Sequence, residues 1–196
     1  MSLRVRNSHE GSPIWISKPI PDNKQSTGTV ELYTRIVERT ASDSNMWVVA
    51  LWKGYSDNAL AKHTAMGDAV APVTFVLGFT KQGISDYYRV MRYDGSKHYW
   101  VNTTVDVNYS GYWDRLKVVY DCNENTYDLY KFDFNNGTWI HNSNDRWSAI
   151  YGSAATVKGI SIQADPDSKL SHNLLDWEVF DPAVGHEFWI DSVNIY

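Results

Sequence analysis

The sequence predicts an all-β protein in which two antiparallel sheets pack face to face as a jelly-roll sandwich. Apolar residues recur at every second position in several short segments, which is the pattern of half-buried strands. Val30, Leu32 and Ile36, for example, alternate with Glu31, Tyr33 and Arg35. Clusters of Asp, Asn, Gly and Ser separate these segments, and such residues favour turns. Because each strand must cover its apolar face with another layer, many short strands and few helices indicate two packed sheets.

Nine segments carry the strand pattern, and no internal repeat relates them. The best helical stretch, around residues 57–66, is short, so we expect it to form an excursion between two strands. The predicted strands span residues 30–37, 46–52, 73–79, 87–93, 97–101, 116–121, 127–134, 157–164 and 188–196.

Length, composition and charge are those of one globular domain. The chain has 196 residues, of which 43% are hydrophobic and 21% charged, and its net charge is −5. We assign residues 13–196 to a single jelly-roll domain and set residues 1–12 aside as an N-terminal segment, in part an added cloning sequence. The acidic balance argues against a nucleic-acid partner. No apolar run approaches the roughly 18 residues of a membrane span, so we expect no membrane insertion.

The most informative segment is the predicted hairpin over residues 87–102. Asp94 and Gly95 are typical of a two-residue type I′ loop, which would place Arg89 opposite Trp100. A loop of odd length would mix the two faces, since neighbouring residues point to opposite sides of a sheet. With the two-residue loop, one face carries an aromatic and polar set: Tyr87, Arg89, His98, Trp100 and Asn102.

This set of side chains suits a carbohydrate groove. Sugars stack their C–H faces on aromatic rings and offer hydroxyl groups to polar side chains, and the chain contains 9 Trp, 13 Tyr and 6 Phe. Trp139 is predicted as a further ring of the same groove, and Trp52 is a weaker candidate. The alternative for each ring is packing in the core or at the rim of the sandwich.

Three segments resemble the concanavalin A-like jelly-roll superfamily, in particular its laminin-G-like members, sugar-binding modules and polysaccharide lyases. Residues 113–121 (WDRLKVVYD) and 126–130 (TYDLY) are similar to a hairpin of that family. Residues 159–162 (GISI) and 188–196 (FWIDSVNIY) are similar to its last two strands. The resemblance implies a concanavalin A-like fold and a secreted or cell-surface context in which glycans are handled.

The resemblance also leaves an enzyme as an alternative. A polysaccharide lyase needs a base and a cation beside the uronate carboxylate, and His98, Tyr87 and Arg89 would supply them. The motifs Arg-Thr-Glu-Leu, Gln-Ile-His and Tyr-Phe-Lys-Ala-Gly of the jelly-roll alginate lyases are absent from the sequence. The glutamates do not show the spacing of the family's glucanases, and no Ser-His-Asp, phosphate-loop or zinc pattern is present.

Calcium is the one cofactor that the sequence suggests. Related sugar-binding jelly rolls often place an Asp of the last strand on a structural calcium, so the resemblance points to Asp191. Glu31 is a possible second ligand, on a strand expected beside it. The alternative for both is a carboxylate that accepts backbone N–H groups at a strand bend.

The sequence therefore predicts non-catalytic binding of a carbohydrate chain on an aromatic and polar sheet face. A polysaccharide lyase acting by β-elimination is the first alternative, and a structural or adhesive surface protein is the second. The single cysteine, Cys122, excludes an intramolecular disulfide.

Overall fold

In the residues that it describes, the computed structural model contains twelve β-strands and one turn of 3-10 helix at Asp22–Lys24. It describes residues 3–6, 14–36, 45–53, 73–80, 87–96, 98–108, 112–150, 152, 156–164 and 187–196. The strands are β1 (Leu3–Arg6), β2 (Ile14–Pro19), β3 (Thr27–Ile36), β4 (Asn45–Trp52), β5 (Val73–Thr80), β6 (Tyr87–Tyr93), β7 (His98–Asp106), β8 (Asp114–Asp121), β9 (Thr126–Asp133), β10 (Thr138–Trp147), β11 (Gly159–Ala164) and β12 (Glu187–Ile195).

These strands form two six-stranded sheets. Sheet A has the order β1-β12-β3-β8-β9-β10, and sheet B has the order β2-β11-β4-β5-β6-β7. Neighbouring strands are antiparallel throughout both sheets of the described chain. The predicted two-sheet antiparallel jelly roll is thereby confirmed.

The core lies between the sheets and is built by the inward residues of each strand. In β8, buried and half-buried residues alternate strictly, and Leu116, Val118 and Tyr120 point inward. Removing each such aliphatic side chain from water contributes about 1.5–3 kcal/mol. Sheet B contributes residues that meet them, including Val49, Leu51, Phe75, Leu77, Tyr88 and Val90.

Two buried aspartates connect the sheets with hydrogen bonds. Asp114 on β8 accepts a hydrogen bond from the Tyr88 hydroxyl of β6 at 2.8 Å. Asp145 on β10 is fully buried and accepts hydrogen bonds from the backbone N–H and the hydroxyl of Thr104 on β7. The sandwich is therefore joined by polar contacts at the side where β7 and β10 are the edge strands.

The hairpin predicted from the family resemblance is the β8–β9 pair. Asp121 pairs with Thr126, and four residues form the turn between them. The Asp121 carboxylate accepts hydrogen bonds from the N–H groups of Asn123 and Glu124 at 2.8 and 3.2 Å. Asn125 completes the turn with φ of 55°, a conformation that Asn tolerates better than most residues.

The β6–β7 hairpin differs from its prediction in loop length. Tyr93 pairs with His98, so four residues form the loop instead of two. Gly95 has φ of 96°, whereas Asp94 does not adopt a positive φ and instead accepts a hydrogen bond from Ser96 N–H. A type I′ turn needs positive φ at both central residues, so that turn does not form. The observed partners on β7 lie two residues further along the chain than the predicted ones. Because two is an even number, each side chain stays on the face of the sheet that was predicted for it.

Three strands lacked a strand signal in the sequence: β1, β2 and β10. All three lie at or near sheet edges, where polar residues are tolerated on both faces. The helix expected around residues 57–66 lies outside the described residues. Within the described chain, no helix is long and apolar enough to cross a membrane.

Candidate functional site

The residues predicted to form a glycan groove lie on the outer face of sheet B. Tyr87, Arg89, Trp100 and Asn102 are on the side of β6–β7 opposite to the core. Arg89 is only 8% exposed, and its Nε–H donates a hydrogen bond to Asn102 Oδ1 at 2.8 Å. Tyr87 and Asn102 are exposed, whereas Trp100 is half-buried. The structure brings these four residues to one face, and their role in binding stays a prediction.

The catalytic roles considered for a lyase also stay predictions. The backbone of His98 pairs with Tyr93, but its side chain lies outside the described part of the structure. Arg89, the predicted partner of a uronate carboxylate, is buried and bonded to Asn102.

The two further tryptophans considered for this groove do not lie in it. Trp52 is 1% exposed, and its Nε1–H donates a hydrogen bond to Ser161 Oγ at 2.7 Å, so it is a packing residue. Trp139 is on β10 and therefore belongs to sheet A. The structure thus separates Trp139 from Tyr87, Arg89 and Asn102.

Trp139 instead belongs to a set of rings and cations on the outer face of sheet A. It reaches across β9 to two cations of β8: the Arg115 guanidinium carbon lies 4.9 Å and Lys117 Nζ lies 4.2 Å from its ring centroid. Phe132 meets the Trp139 ring edge to face, with 5.2 Å between centroids. We call this set the cation–aromatic face; its members are Tyr33, Arg115, Lys117, Tyr130, Phe132 and Trp139.

Arg115 is the best-anchored member of this face. Its Nε and Nη2 atoms lie 2.6 and 2.5 Å from Glu31 Oε1. Its guanidinium carbon also lies 4.7 Å from the centroid of Phe132 and 5.3 Å from that of Tyr33. Strand register explains the arrangement, because Tyr33 pairs with Arg115 across β3 and β8, and Phe132 pairs with Trp139 across β9 and β10.

A second group of polar and aromatic side chains lies beside the cation–aromatic face. His141 stacks on Tyr130 with 4.5 Å between centroids, and its Nε2 lies 3.4 Å from Asp128 Oδ1. Arg146 donates two hydrogen bonds to the same carboxylate, at 2.8 and 3.0 Å. These contacts raise the pKa of Arg146, so the Asp128 charge is already neutralised by a partner.

A cleft of about 680 Å³ opens at the end of the sandwich, where β7 ends and β8 begins. We call it the rim cleft. Three of its lining residues are large, apolar and more than half exposed: Tyr112, Phe134 and Ile140. The other residues that line it are Asp106, Asn108, Trp113, Asp114, Lys131, Phe132, Asp133 and Asn135.

The polar wall of the rim cleft is organised by Lys131. Its Nζ lies 3.0 Å from Asp106 Oδ1 and 3.1 Å from Asp114 Oδ1. Asp114 is further fixed by hydrogen bonds from Tyr88 and from the N–H of Asn108. The wall therefore presents carboxylate oxygens in fixed positions.

Asp133 adds a further carboxylate at the β9–β10 turn. It accepts a hydrogen bond from the Asn136 side-chain amide at 2.6 Å and another from Asn135 N–H at 2.9 Å. These hydrogen bonds, the Asn136 amide first, lower the pKa of Asp133, so it is ionised at neutral pH.

The two predicted calcium ligands lie on neighbouring strands of sheet A. Glu31 pairs with Asn194, and Asp191 pairs with Tyr33 on the other side of a bulge that contains Ser192 with φ of 51°. Glu31 is bound by Arg115, so a calcium ion would compete with a guanidinium for this carboxylate. Among the described residues, no group of three His, Cys, Asp or Glu is placed to hold a metal ion.

Calcium binding at Asp191 and Glu31 stays a proposal. A calcium titration followed by thermal unfolding tests it, since a bound ion raises the Tm of the folded state. A Tm that does not change with calcium concentration contradicts the proposal.

Sequence reasoning missed both the cation–aromatic face and the rim cleft. The face carries a usable signal, because Arg115 and Lys117 alternate with the buried Leu116 and Val118 and so point outward together. The cleft carries no local signal, because its walls come from residues 106–108, 112–114 and 131–140, and only the folded sheets bring these together.

No protein-family model matches the chain, and a search of curated proteins finds no match. Solved structures do match. A structure named sialidase is 12% identical with a TM-score of 0.55, and the match covers 100% of this chain and 15% of that one. A carbohydrate esterase from the Shiga toxin-encoding bacteriophage phi24B is 10% identical with a TM-score of 0.52, covering 99% of this chain and 79% of that one. Sheep galectin-11, in complex with glycerol, is 12% identical with a TM-score of 0.48, covering 96% and 100%.

These likenesses concern the fold. The chain spans only 15% of the length of the sialidase structure. The two matches with TM-scores above 0.5 agree with the predicted two-sheet jelly-roll fold.

Proposed function

We propose that this protein binds carbohydrate chains without transforming them and that the rim cleft is a binding site. The main support for this proposal is the exposure of Tyr112, Phe134 and Ile140 around a polar-lined cleft of about 680 Å³. Ligand pockets of about 300–1,000 Å³ combine an apolar lining with a few fixed polar groups in this way. Sugar C–H faces would pack on the exposed rings, and sugar hydroxyls would donate to the fixed oxygens.

The charge of the rim cleft favours a neutral sugar. The lining includes three carboxylates, from Asp106, Asp114 and Asp133, and one cation, Lys131. Carboxylates accept hydrogen bonds and repel anions, so hydroxyl groups suit this wall better than a uronate carboxylate does.

The predicted residues of β6 and β7 extend this proposed site. Tyr87 is exposed and is the Cα partner of Asp106, which lines the rim cleft, so we infer that its ring is available to a ligand that extends from the cleft. Arg89 and Asn102 form the next polar pair on that face. A polymer that leaves the cleft beside Asp106 would therefore meet Tyr87 first.

The names of two matched structures support a carbohydrate ligand. Two of the matched structures are named sialidase and carbohydrate esterase. We propose by extension that this protein acts in a secreted or cell-surface setting, where such polymers occur.

The proposal is tested by affinity gel electrophoresis against a panel of neutral polysaccharides. We expect retardation of the native protein and a loss of affinity of about tenfold or more in Tyr112→Ala and Phe134→Ala, because each removes a stacking ring. Tyr99→Ala is the matched control, since Tyr99 is also exposed but lies seven residues along β7 from Asp106, roughly 23 Å away.

The same samples decide between the alternatives. Uronate polymers are included, and new absorbance from unsaturated uronates would replace the binding function with lyase activity. If no polymer retards the native protein, the proposal is wrong and a structural or adhesive role is favoured. If Tyr99→Ala loses as much affinity as Tyr112→Ala, the rim cleft is not the site.

A further inference from the structure

The Lys117 ammonium in the cation–aromatic face has an unusual environment. It is half-buried, and its Nζ lies 4.4 Å from the centroid of the Tyr130 ring and 4.2 Å from that of Trp139. Within the described chain, it contacts ring faces and donates no hydrogen bond to a carboxylate or carbonyl oxygen. Burial is the main cause that lowers the pKa of Lys117; the Glu31 charge opposes this shift, and the Arg115 charge adds a smaller lowering.

The nearest carboxylate does not balance the two cations of β8. Glu31 is the Cα partner of Lys117, but its Oε1 is held by the Arg115 guanidinium at 2.6 Å. One carboxylate therefore faces two positive charges. A half-buried ammonium that has no acceptor among the described residues is incompletely compensated, so an anionic group at this position would be stabilised by it.

The rings around this ammonium restrict what the anion is attached to. Trp139 and Phe132 meet edge to face, and both are half-buried on the outer surface of sheet A. A flat ligand with apolar C–H groups can stack on such rings while its charged group reaches Lys117. A free inorganic anion would leave the rings unused.

We propose that the cation–aromatic face is a second binding surface, one that takes an acidic sugar whose carboxylate pairs with Lys117 and whose ring stacks on Trp139. The inference rests on the proposed function, since both ligands are saccharides, but it concerns a different face with the opposite charge. The two surfaces share only Phe132, which also lines the rim cleft. A mixed polymer with neutral and acidic residues would engage both.

The test is affinity gel electrophoresis with polygalacturonate, a polymer of uronate residues, at low salt. We expect the native protein to be retarded, and Lys117→Gln and Trp139→Ala each to lose about tenfold or more in affinity. Lys158→Gln is the matched control, because it removes an equal charge from an exposed lysine outside this face. Unchanged thermal unfolding establishes that each variant is folded.

Four results would overturn the inference. The first is that polygalacturonate does not retard the native protein. A second is an equal loss in Lys117→Gln and Lys158→Gln, which would reduce the effect to net charge. A third is equal retardation by a carboxyl-reduced polymer. The fourth is equal competition by sulfate and by galacturonate at matched ionic strength, which would indicate a simple anion site.

The cleft variant Tyr112→Ala separates this inference from the proposed function. We expect it to keep its affinity for polygalacturonate while losing affinity for the neutral polymer. If it loses both, the acidic polymer binds in the rim cleft and the second surface is wrong. If Lys117→Gln alone loses affinity for polygalacturonate, the second surface stands even where the cleft fails.

Discussion

The outer faces of the two sheets differ in how they are buried. On sheet B, Ala50, Trp52, Val76 and Met91 all point away from the inter-sheet core, yet each is at most 3% exposed. On sheet A, the outward residues of β8 are half-buried and charged. One outer face is therefore built like a second core, and the other is a surface of rings and charges.

This difference indicates where ligands have access. The centre of the sheet B face is apolar and buried, whereas Tyr87 and Asn102 are exposed, so among the described residues these two offer a polymer access to that face. The sheet A face offers rings and an ammonium across β8, β9 and β10. Trp52 of β4 is thus enclosed within the fold on one face, whereas the rings of the other face remain partly exposed.

The largest expected effect compares one tryptophan from each face. Trp52→Ala should lower the free energy of unfolding by about 3–5 kcal/mol, because it empties a buried site and removes the partner of Ser161. Trp139→Ala should cost only about 1 kcal/mol, since its ring is half-buried and its contacts with Arg115 and Lys117 are partly solvated. Urea unfolding measures both, and equal losses would contradict the contrast between the faces.

An intermediate effect is expected where the edges of the two sheets meet. Asp145→Ala should lower the free energy of unfolding by about 1–3 kcal/mol, because it leaves the buried N–H and hydroxyl of Thr104 without their acceptor. Hydrogen exchange should show faster opening of β7 and β10 than of β3. Uniform loss of protection would show that Asp145 does not act locally.

The smallest effect is expected at Lys117. Its pKa in the folded protein is lowered, so the unfolded state binds its proton more tightly and the charge opposes folding below the folded pKa. Lys117→Met should therefore change the free energy of unfolding by less than about 0.5 kcal/mol or raise it slightly at neutral pH. As pH rises toward 10.5, the native lysine loses this disadvantage, and the two proteins should converge. A clear destabilisation by Lys117→Met would contradict the view that this charge serves a ligand rather than the fold.

The fold could be predicted because the alternation of apolar and polar residues can be recognised within each strand by itself. Tyr87–Tyr93 was predicted with its correct bounds, and β8 and β9 were found by alternation and by family resemblance. β10 was missed because most of its side chains are exposed, so it shows no apolar period. Burial on both faces makes β4 and β5 nearly continuous apolar runs, and these were still identified as strands.

The candidate sites were harder to predict because they depend on strand order. The residues of β6 and β7 kept their predicted faces only because the loop grew by an even number of residues. Trp139 was grouped with them because the sequence does not show that β10 pairs with β9 in the other sheet. Likewise, Asp106 meets Lys131 through a contact between sheets that no spacing in the sequence indicates.

Cys122, the single cysteine of this chain, can report local opening of the fold. Cys122 is buried beside the segment that precedes β3, and its Sγ lies 3.6 Å from the carbonyl oxygen of Gln25. Burial raises its pKa, and only the exposed thiolate reacts with alkylating reagents. The rate of alkylation therefore reports how often this corner of the sandwich separates from its neighbours, without any introduced label. The alkylation rate can be measured with and without a polysaccharide. A lower rate with the polysaccharide would show that ligand binding at a distant surface reduces local opening of the sandwich.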